Sequence, residues 1–294
     1  MVMEFRVLKY FLMVAREENI TKAAALLHVT QPTLSRQLMQ LEEELGVKLF
    51  HRGKHRIVLT EDGLLLKRRA QEIVSLSNKT VQELSHKNDM LSGEVSIGCG
   101  ETRSMFFLSE QMKCFQQKYP LVQFNIYSAS ADDIKERIEK GILDIGLLTE
   151  PVDVEKYEFI RMPQKEQWGV LVRKDSKLAE KEYIMPEDLT KVPLLMVKRE
   201  TVKNELVNWF GDYYEKLQIA ATYNLIVNAA SMVKCGIGVA ICLDLGANFY
   251  EDLCFVPLFP VIETGSVLVW KKNQTFGTAT TKFTQMIKNA YEAL

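Results

Sequence analysis

The chain has 294 residues, with 37 Lys and Arg against 38 Asp and Glu and a formal net charge of -1. That length suits about two globular domains, each able to bury a core of its own. No uninterrupted apolar run approaches bilayer length, and the start, MVMEFRVLKYF, interleaves charges with apolar residues, so neither a membrane span nor a secretory signal is expected and a cytoplasmic protein is.

The five cysteines, Cys99, Cys114, Cys235, Cys242 and Cys254, form an odd set without framework spacing, as expected of reduced thiols. The four histidines, His28, His51, His55 and His86, are not spaced as a metal site, so no metal and no cofactor is expected. The charge divides unevenly: residues 1–92 hold 14 Lys and Arg against 11 Asp and Glu, which leaves 23 against 27 for the rest. The N-terminal part is therefore the basic one, by a modest margin.

The first patterned stretch begins at Thr21, which can cap a helix whose Ala23, Ala24 and Leu27 make a small inner face. Thr30 can cap a second helix with Pro32 in its first turn, running to about Glu44. Leu34, Leu38, Leu41 and Leu45 recur at intervals of four, three and four residues and must face a core. Thr33, Arg36, Gln37 and Gln40 then point outward, where forked donors and amides suit base edges in the major groove. Thr30 and Ser35 suit phosphates, and Glu42, Glu43 and Glu44 must lie away from them. Taken alone, the same pattern also describes an ordinary amphipathic surface helix.

Gly46 closes this helix, Leu49-Phe50 and Ile57-Val58-Leu59 can pair as short strands, and Arg52 to Arg56 form a basic turn between them. Such a tip, with Arg52, Lys54 and Arg56, is a wing able to reach phosphates or a narrow minor groove, although a charge run by itself also describes a solvated loop. The pattern as a whole is a winged helix-turn-helix. From Thr60 one long helix carries Leu66, Ala70, Ile73, Val74, Val81 and Leu84 to about Lys87. Its simplest use is pairing with the same helix of a second subunit, which puts two recognition helices on an inverted-repeat operator. Packing along the chain's own second domain is the other reading.

After the break NDMLSG at Asn88 to Gly93, strands and helices alternate: GEVSIG, a helix over 103–118, LVQFNIY, the helix SADDIKERIEKG and the buried strand LDIGLL. A second set begins near Pro163, with Trp168 to Val172, a helical turn around Pro186 to Leu189, the strand Pro193 to Val197, a helix near Lys203 to Leu217 and GIGVAI. Strand Ser266 to Trp270 and a helix over 278–293 return to the first set. This alternation implies α/β subdomains with parallel sheets covered by helices, and two crossings make a hinge near residues 162 and 265.

The order of AA, L, TQPTLSRQLMQLEEELGVKLFHR, LT and DG in residues 23–63 resembles the N-terminal domain of LysR-type transcriptional regulators. The resemblance implies DNA contacts by Gln31, Pro32, Thr33, Ser35 and Arg36, with Arg56 and its neighbours serving the wing. Thr21, Gln37 and Gln40 complete the candidate interface. GILDIGLL, SKLAEKEYIMPEDL and AASMVKCGIGVAI resemble, more loosely, the effector domain of the same regulators, which is similar in fold to periplasmic binding proteins. Where that family often has a proline after the last motif, this chain has Leu243-Asp244. The expected layout is a DNA-binding domain over 1–60, a linker helix and hinge over 61–92, and an effector domain over 93–294, with subdomain I at 93–162 and 267–294 and subdomain II at 163–266.

Ligands of such sheets sit at the carboxyl ends of the strands. Cys99, Gly100, Thr102, Arg103, Ser128, Ser130, Thr149, Met196 and Asn228 fall at those ends and make the candidate effector site, suited to a small polar molecule, with an anionic, carboxylate-bearing one in view. Arg103 in a surface salt bridge and Ser128 and Ser130 as helix caps are the competing readings, and Cys99 also invites a redox one. The expected function is ligand-controlled, sequence-specific regulation of transcription, without enzymatic activity. Its partners would be double-stranded DNA, a small-molecule effector, a second subunit and, by resemblance, a dimer of dimers, with RNA polymerase a further candidate and no membrane. An enzyme with a DNA-binding appendage and a two-lobed solute-binding protein are the alternatives. The first lacks a phosphate loop, zinc motif or nucleophile elbow, and the second lacks an export signal.

Overall fold

The structure, a computed structural model, describes residues 3–52, 57–84, 91–246 and 252–292, with the side chains of residues 52 and 82–84 outside the description. They belong to two compact units, residues 1–85 and 86–294.

In the first unit, helix α1 (Phe5–Glu17) buries Val7, Leu8, Phe11, Val14 and Ala15 along one side. This element goes beyond the sequence expectation, although its apolar intervals of one, three and four residues carry the helical period. Helix α2 (Ile20–Leu26) is capped by Asn19, whose side chain accepts the Lys22 N–H at 2.9 Å. Thr21, expected as the cap, lies inside the first turn, because the Asn19 amide two residues earlier already reaches the free N–H. Helix α3 (Gln31–Leu45) is capped by Thr30, whose hydroxyl accepts the Thr33 N–H at 3.4 Å, and it ends at Gly46 with a left-handed φ of 69°. Leu34, Leu38 and Leu41 are buried against α1 and α2, while Leu45 is half-buried.

Strands β1 (Phe50–Arg52) and β2 (Ile57–Leu59) pair antiparallel with Phe50 opposite Leu59. The expected wing tip, Gly53 to Arg56 with Lys54 and Arg56, lies outside the described residues, as do the end of the linker helix and the break at Asn88 to Met90. Helix α4 (Glu61–Leu84) starts at Thr60, whose hydroxyl accepts the Gly63 N–H at 2.9 Å and donates to the Lys48 carbonyl at 2.6 Å. A Cβ on Gly63 would lie 2.1 Å from the Leu49 carbonyl oxygen, so only glycine allows α4 to pass this close to β1.

The second unit holds two sheets. The first contains β3 (Ser92–Cys99), β4 (Leu121–Ser128), β5 (Ile145–Thr149), β6 (Tyr157–Arg161) and β13 (Ser266–Lys271) in the order β4-β3-β5-β13-β6. Helices α5 (Ser104–Lys118) and α9 (Thr278–Glu292) cover one face through Leu108, Phe115, Phe283 and Ile287. Helix α6 (Ala131–Glu139) covers the other through Ile134 and Ile138. The second sheet contains β7 (Glu166–Arg173), β8 (Pro193–Val197), β9 (Gln218–Tyr223), β10 (Val239–Leu243), β11 (Leu253–Pro257) and β12 (Glu263–Thr264), with main order β11-β7-β10-β8-β9 and β12 on β7. Helix α7 (Glu200–Phe210) packs Leu206 and Phe210 on one face, and helix α8 (Ile226–Lys234) packs Ala229, Ala230 and Val233 on the other.

Both sheets are mixed where parallel ones are expected. Strands β3, β4 and β5 run parallel, as do β8, β9 and β10, but β13 is antiparallel to β5 and β6, and β7 is antiparallel to β10 and β11. The antiparallel strands are those entering or leaving a sheet at the two crossings, where the chain arrives from the opposite side. The expected helix to Leu217 is also shorter: α7 stops at Phe210, Gly211 takes a φ of 52°, and a 3-10 turn spans Gly211–Lys216. At the crossings Met162 donates its N–H to the Ser266 carbonyl at 2.8 Å, and Thr264 stands opposite Glu166.

Candidate functional site

Two sites can be built from these elements, one on each unit. On the first unit, α3 turns its leucines inward and leaves Gln31, Pro32, Thr33, Arg36 and Gln40 exposed, with Ser35 and Gln37 half-buried beside them. Thr30 and Thr33 share a hydrogen bond between their hydroxyls at 2.8 Å, and the Gln40 amide donates to Glu44 at 3.2 Å. Glu42 is turned into the domain rather than toward solvent. It is 3% exposed, and its carboxylate accepts the N–H groups of Leu49 at 2.8 Å and Phe50 at 3.3 Å. A carboxylate used this way ties the end of the outward-facing helix to the first strand of the hairpin. The Ile57 N–H donates to the Glu18 carbonyl at 3.1 Å and ties the second strand to the end of α1. Thr21 is exposed on α2, and the backbone of Arg52 ends β1.

On the second unit, a cavity of about 680 Å³ opens where the carboxyl ends of β3, β4 and β5 face those of β8, β9 and β10. Gly100, Ser130 and Thr149 line it, together with Glu101, Asp132, Trp168, Lys198, Arg199 and Tyr223, which sequence reasoning leaves out. The other expected residues stand away from the lining. Cys99 and Met196 are buried in the cores, and Asn228 is exposed on α8. The Cys99 thiol is pushed up by burial, with Ser128 hydrogen-bonded to it pulling partly back and Glu101 nearby adding to the rise. Burial does the same more strongly at Cys242, so neither thiol is disposed to ionise.

Thr102 is 5% exposed and bonds Glu166 and the Ser266 hydroxyl, the latter at 3.3 Å. Glu166, itself fully buried, accepts the N–H groups of Arg103 and Ser104 at 3.2 Å each and the Ser104 hydroxyl at 3.0 Å, so a residue of the second sheet closes the start of α5. Arg103 pairs with Asp244 at 3.2 Å instead of entering the cavity. Asp244 thus gains a charge partner across the two sheets. Ser130 lines the cavity and caps α6 as well, accepting the Asp133 N–H at 3.3 Å.

Two further residues join the subdomains at the cavity. Arg199 follows β8, has a side chain only 12% exposed, and donates to the carbonyls of Thr149 at 2.9 Å and Pro151 at 2.7 Å. Its Nε lies 3.5 Å from an Asp132 oxygen, near enough for charge attraction but not aligned for a hydrogen bond. From the other side, Glu101 accepts the Ile226 N–H at the start of α8, and burial pushes its carboxyl up while the Ile226 and Val227 amides pull it partly back. Neither residue carries a motif, and their roles come from strands joined only in three dimensions. Among the described residues no His, Cys, Asp and Glu cluster could hold a metal ion, and no helix is long and apolar enough to cross a membrane.

Comparison with known proteins finds the LysR substrate binding domain over residues 88–292 and the bacterial regulatory helix-turn-helix of the lysR family over residues 5–64. The chain is 30% identical over 244 residues to the HTH-type transcriptional regulator BsdA of Bacillus subtilis, covering 81% of this chain and 83% of that one. It is 28% identical over 242 residues to the uncharacterized HTH-type regulator YvbU of the same organism, 82% of each chain. Its fold matches the crystal structure of full-length CbnR complexed with target DNA at a TM-score of 0.74 and 22% identity, covering 98% of this chain and 100% of that one. With a family match over both of its units, the chain belongs to the LysR family of DNA-binding transcriptional regulators, proteins with an effector-binding domain rather than enzymes.

Proposed function

We propose that this regulator reads double-stranded operator DNA through α3 and controls transcription in the cytoplasm in response to a small molecule held in the cavity of its second unit. The observation that carries the reading is the two-sidedness of α3: buried Leu34, Leu38 and Leu41 fix the helix, while Thr33, Arg36 and Gln40 are exposed beside the hairpin. Arg36 and Gln40 supply the donor patterns that distinguish guanine and adenine in the major groove. Thr30, Gln31, Pro32, Ser35 and Gln37 surround them, with Thr21, Arg52, Lys54 and Arg56 assigned to flanking phosphate and wing contacts. α4 joins two chains so that two such helices meet an inverted repeat, and a dimer of dimers would span a longer operator. The effector acts through its unequal affinity for open and closed arrangements of the cleft.

The test is Arg36→Ala in the full chain, measured by footprinting on the promoter regions flanking its own gene. Selectivity should fall by about 1–3 kcal/mol, some tenfold or more, with binding to unrelated duplex retained. Thermal unfolding should not change, because Arg36 is exposed. Full selectivity in the Arg36→Ala protein would refute the assignment of α3.

A further inference from the structure

Anions reach clefts of this architecture through cationic side chains or through the free N–H groups at helix N-termini. Here the helix N-termini are already served by the chain's own oxygens. Glu101 receives the start of α8, Ser130 receives the Asp133 N–H at the start of α6, and Glu166 receives the Arg103 and Ser104 N–H groups at the start of α5. Among the described residues, those that are charged and line the cavity are Glu101, Asp132, Asp133 and Glu200 against Lys198 and Arg199, a net charge of -2. The Arg199 guanidinium is committed to the Thr149 and Pro151 carbonyls and lies beside Asp132, and Lys198 is exposed. The same cavity is lined by Trp168, a residue only 4% exposed whose indole N–H has no hydrogen-bond partner among the described residues. An acceptor on a bound molecule would complete a buried donor of this kind.

Resting on the reading of the cavity as the effector site, we infer that the effector is a small molecule bearing a protonated nitrogen, received by Glu101 and Asp132, and a neutral acceptor atom for the Trp168 indole. Each carboxylate has lone pairs for more than one donor, so Glu101 can hold the Ile226 amide and an ammonium together. Burial makes the uncompensated Glu101 charge unfavourable, and a bound cation relieves that cost. The carboxylate-bearing ligand expected from sequence would instead bring its charge to a cavity with an excess of acid.

The experiment compares three probes of similar skeleton with the purified full-length protein by calorimetry: tyramine, which is cationic, tyrosol, which is neutral, and phloretate, which is anionic. Tyramine should bind at least about tenfold more tightly than phloretate, with tyrosol between them. Glu101→Gln keeps an acceptor for α8, and Asp132→Asn changes a side chain 68% exposed, so both proteins should fold. Each should lower tyramine affinity by about tenfold and narrow its advantage over tyrosol. Thr222→Trp, at an exposed position on the cavity wall, should abolish tyramine binding by filling the space. Failure of tyramine to bind, or equal or tighter binding of phloretate, overturns the charge class. Phloretate binding that Thr222→Trp removes would do so while leaving the cavity as the effector site. Tyramine binding that survives Thr222→Trp would overturn the site itself.

Discussion

Glu101 shows how a single side chain joins stability to pH. Burial raises its carboxyl above the ordinary glutamate value, and the amides of Ile226 and Val227 only partly offset this. The folded protein therefore holds that proton more tightly than the unfolded chain. Its contribution to stability is complete below the unfolded value and is lost as pH rises through the folded one. The thermal midpoint of the full chain should accordingly decline more steeply over this interval in the parent than in Glu101→Gln, which cannot titrate. Superimposable midpoint profiles for the two proteins would show that the buried carboxylate is not what the pH change acts on. Glu42 serves structure rather than a ligand: its buried carboxylate is held by two backbone amides and by Lys48 at 3.5 Å.

At the scale of the element, α4 divides its apolar residues between two faces. Leu66, Ala70 and Val74 pack on the first unit's core, whereas Leu65, Ile73 and Leu76 are 53%, 41% and 43% exposed. These last three fall within one sector of the helix at 100° per residue, a narrow stripe of the kind that pairs helices. If α4 joins two chains as proposed, Leu76→Glu should leave monomer at a micromolar concentration where the parent sediments as a dimer, with helix content unchanged in circular dichroism. A dimer unaffected by that charge would remove α4 from the interface. The stripe expected from sequence joined both faces, because period alone does not say which neighbour each residue meets. α3 was more legible, since its leucines, its Thr30 cap and its Gly46 stop all act locally. Gly100, Ser130 and Thr149 were found by one general rule about strand ends, while Glu101 and Arg199 were not, because their partners lie 125 and about 50 residues away. β6 and β11 escaped notice for a related reason: their apolar residues are matched by strands remote in the chain.

Across the second unit, contacts between the subdomains include several polar ties: Arg199 to two carbonyls, Arg103 to Asp244, Glu166 to α5 and Glu101 to α8. Arg199 is the most buried of the cations among them. Arg199→Ala should cost about 2 kcal/mol in chemical denaturation and speed hydrogen exchange at the end of β5. Arg199→Lys should recover only part of this loss, since an ammonium cannot serve both carbonyls with the fork of a guanidinium. Equal stability of all three proteins would mean that the tie contributes nothing to holding the cleft.

The strand pair β6 and β13 carries a different consequence. Arg161 stands opposite Val267 in neighbouring antiparallel strands, although about 100 residues of chain run between them. Residues 163–265 are thus an excursion from what would otherwise be an ordinary hairpin. Splicing a tight Asn-Gly reversal in their place should keep the order of the five-strand layer, while removing Glu166, which closes the start of α5. The regulator's receptor portion can in this sense be viewed as a small α/β fold with a second one threaded into one of its loops.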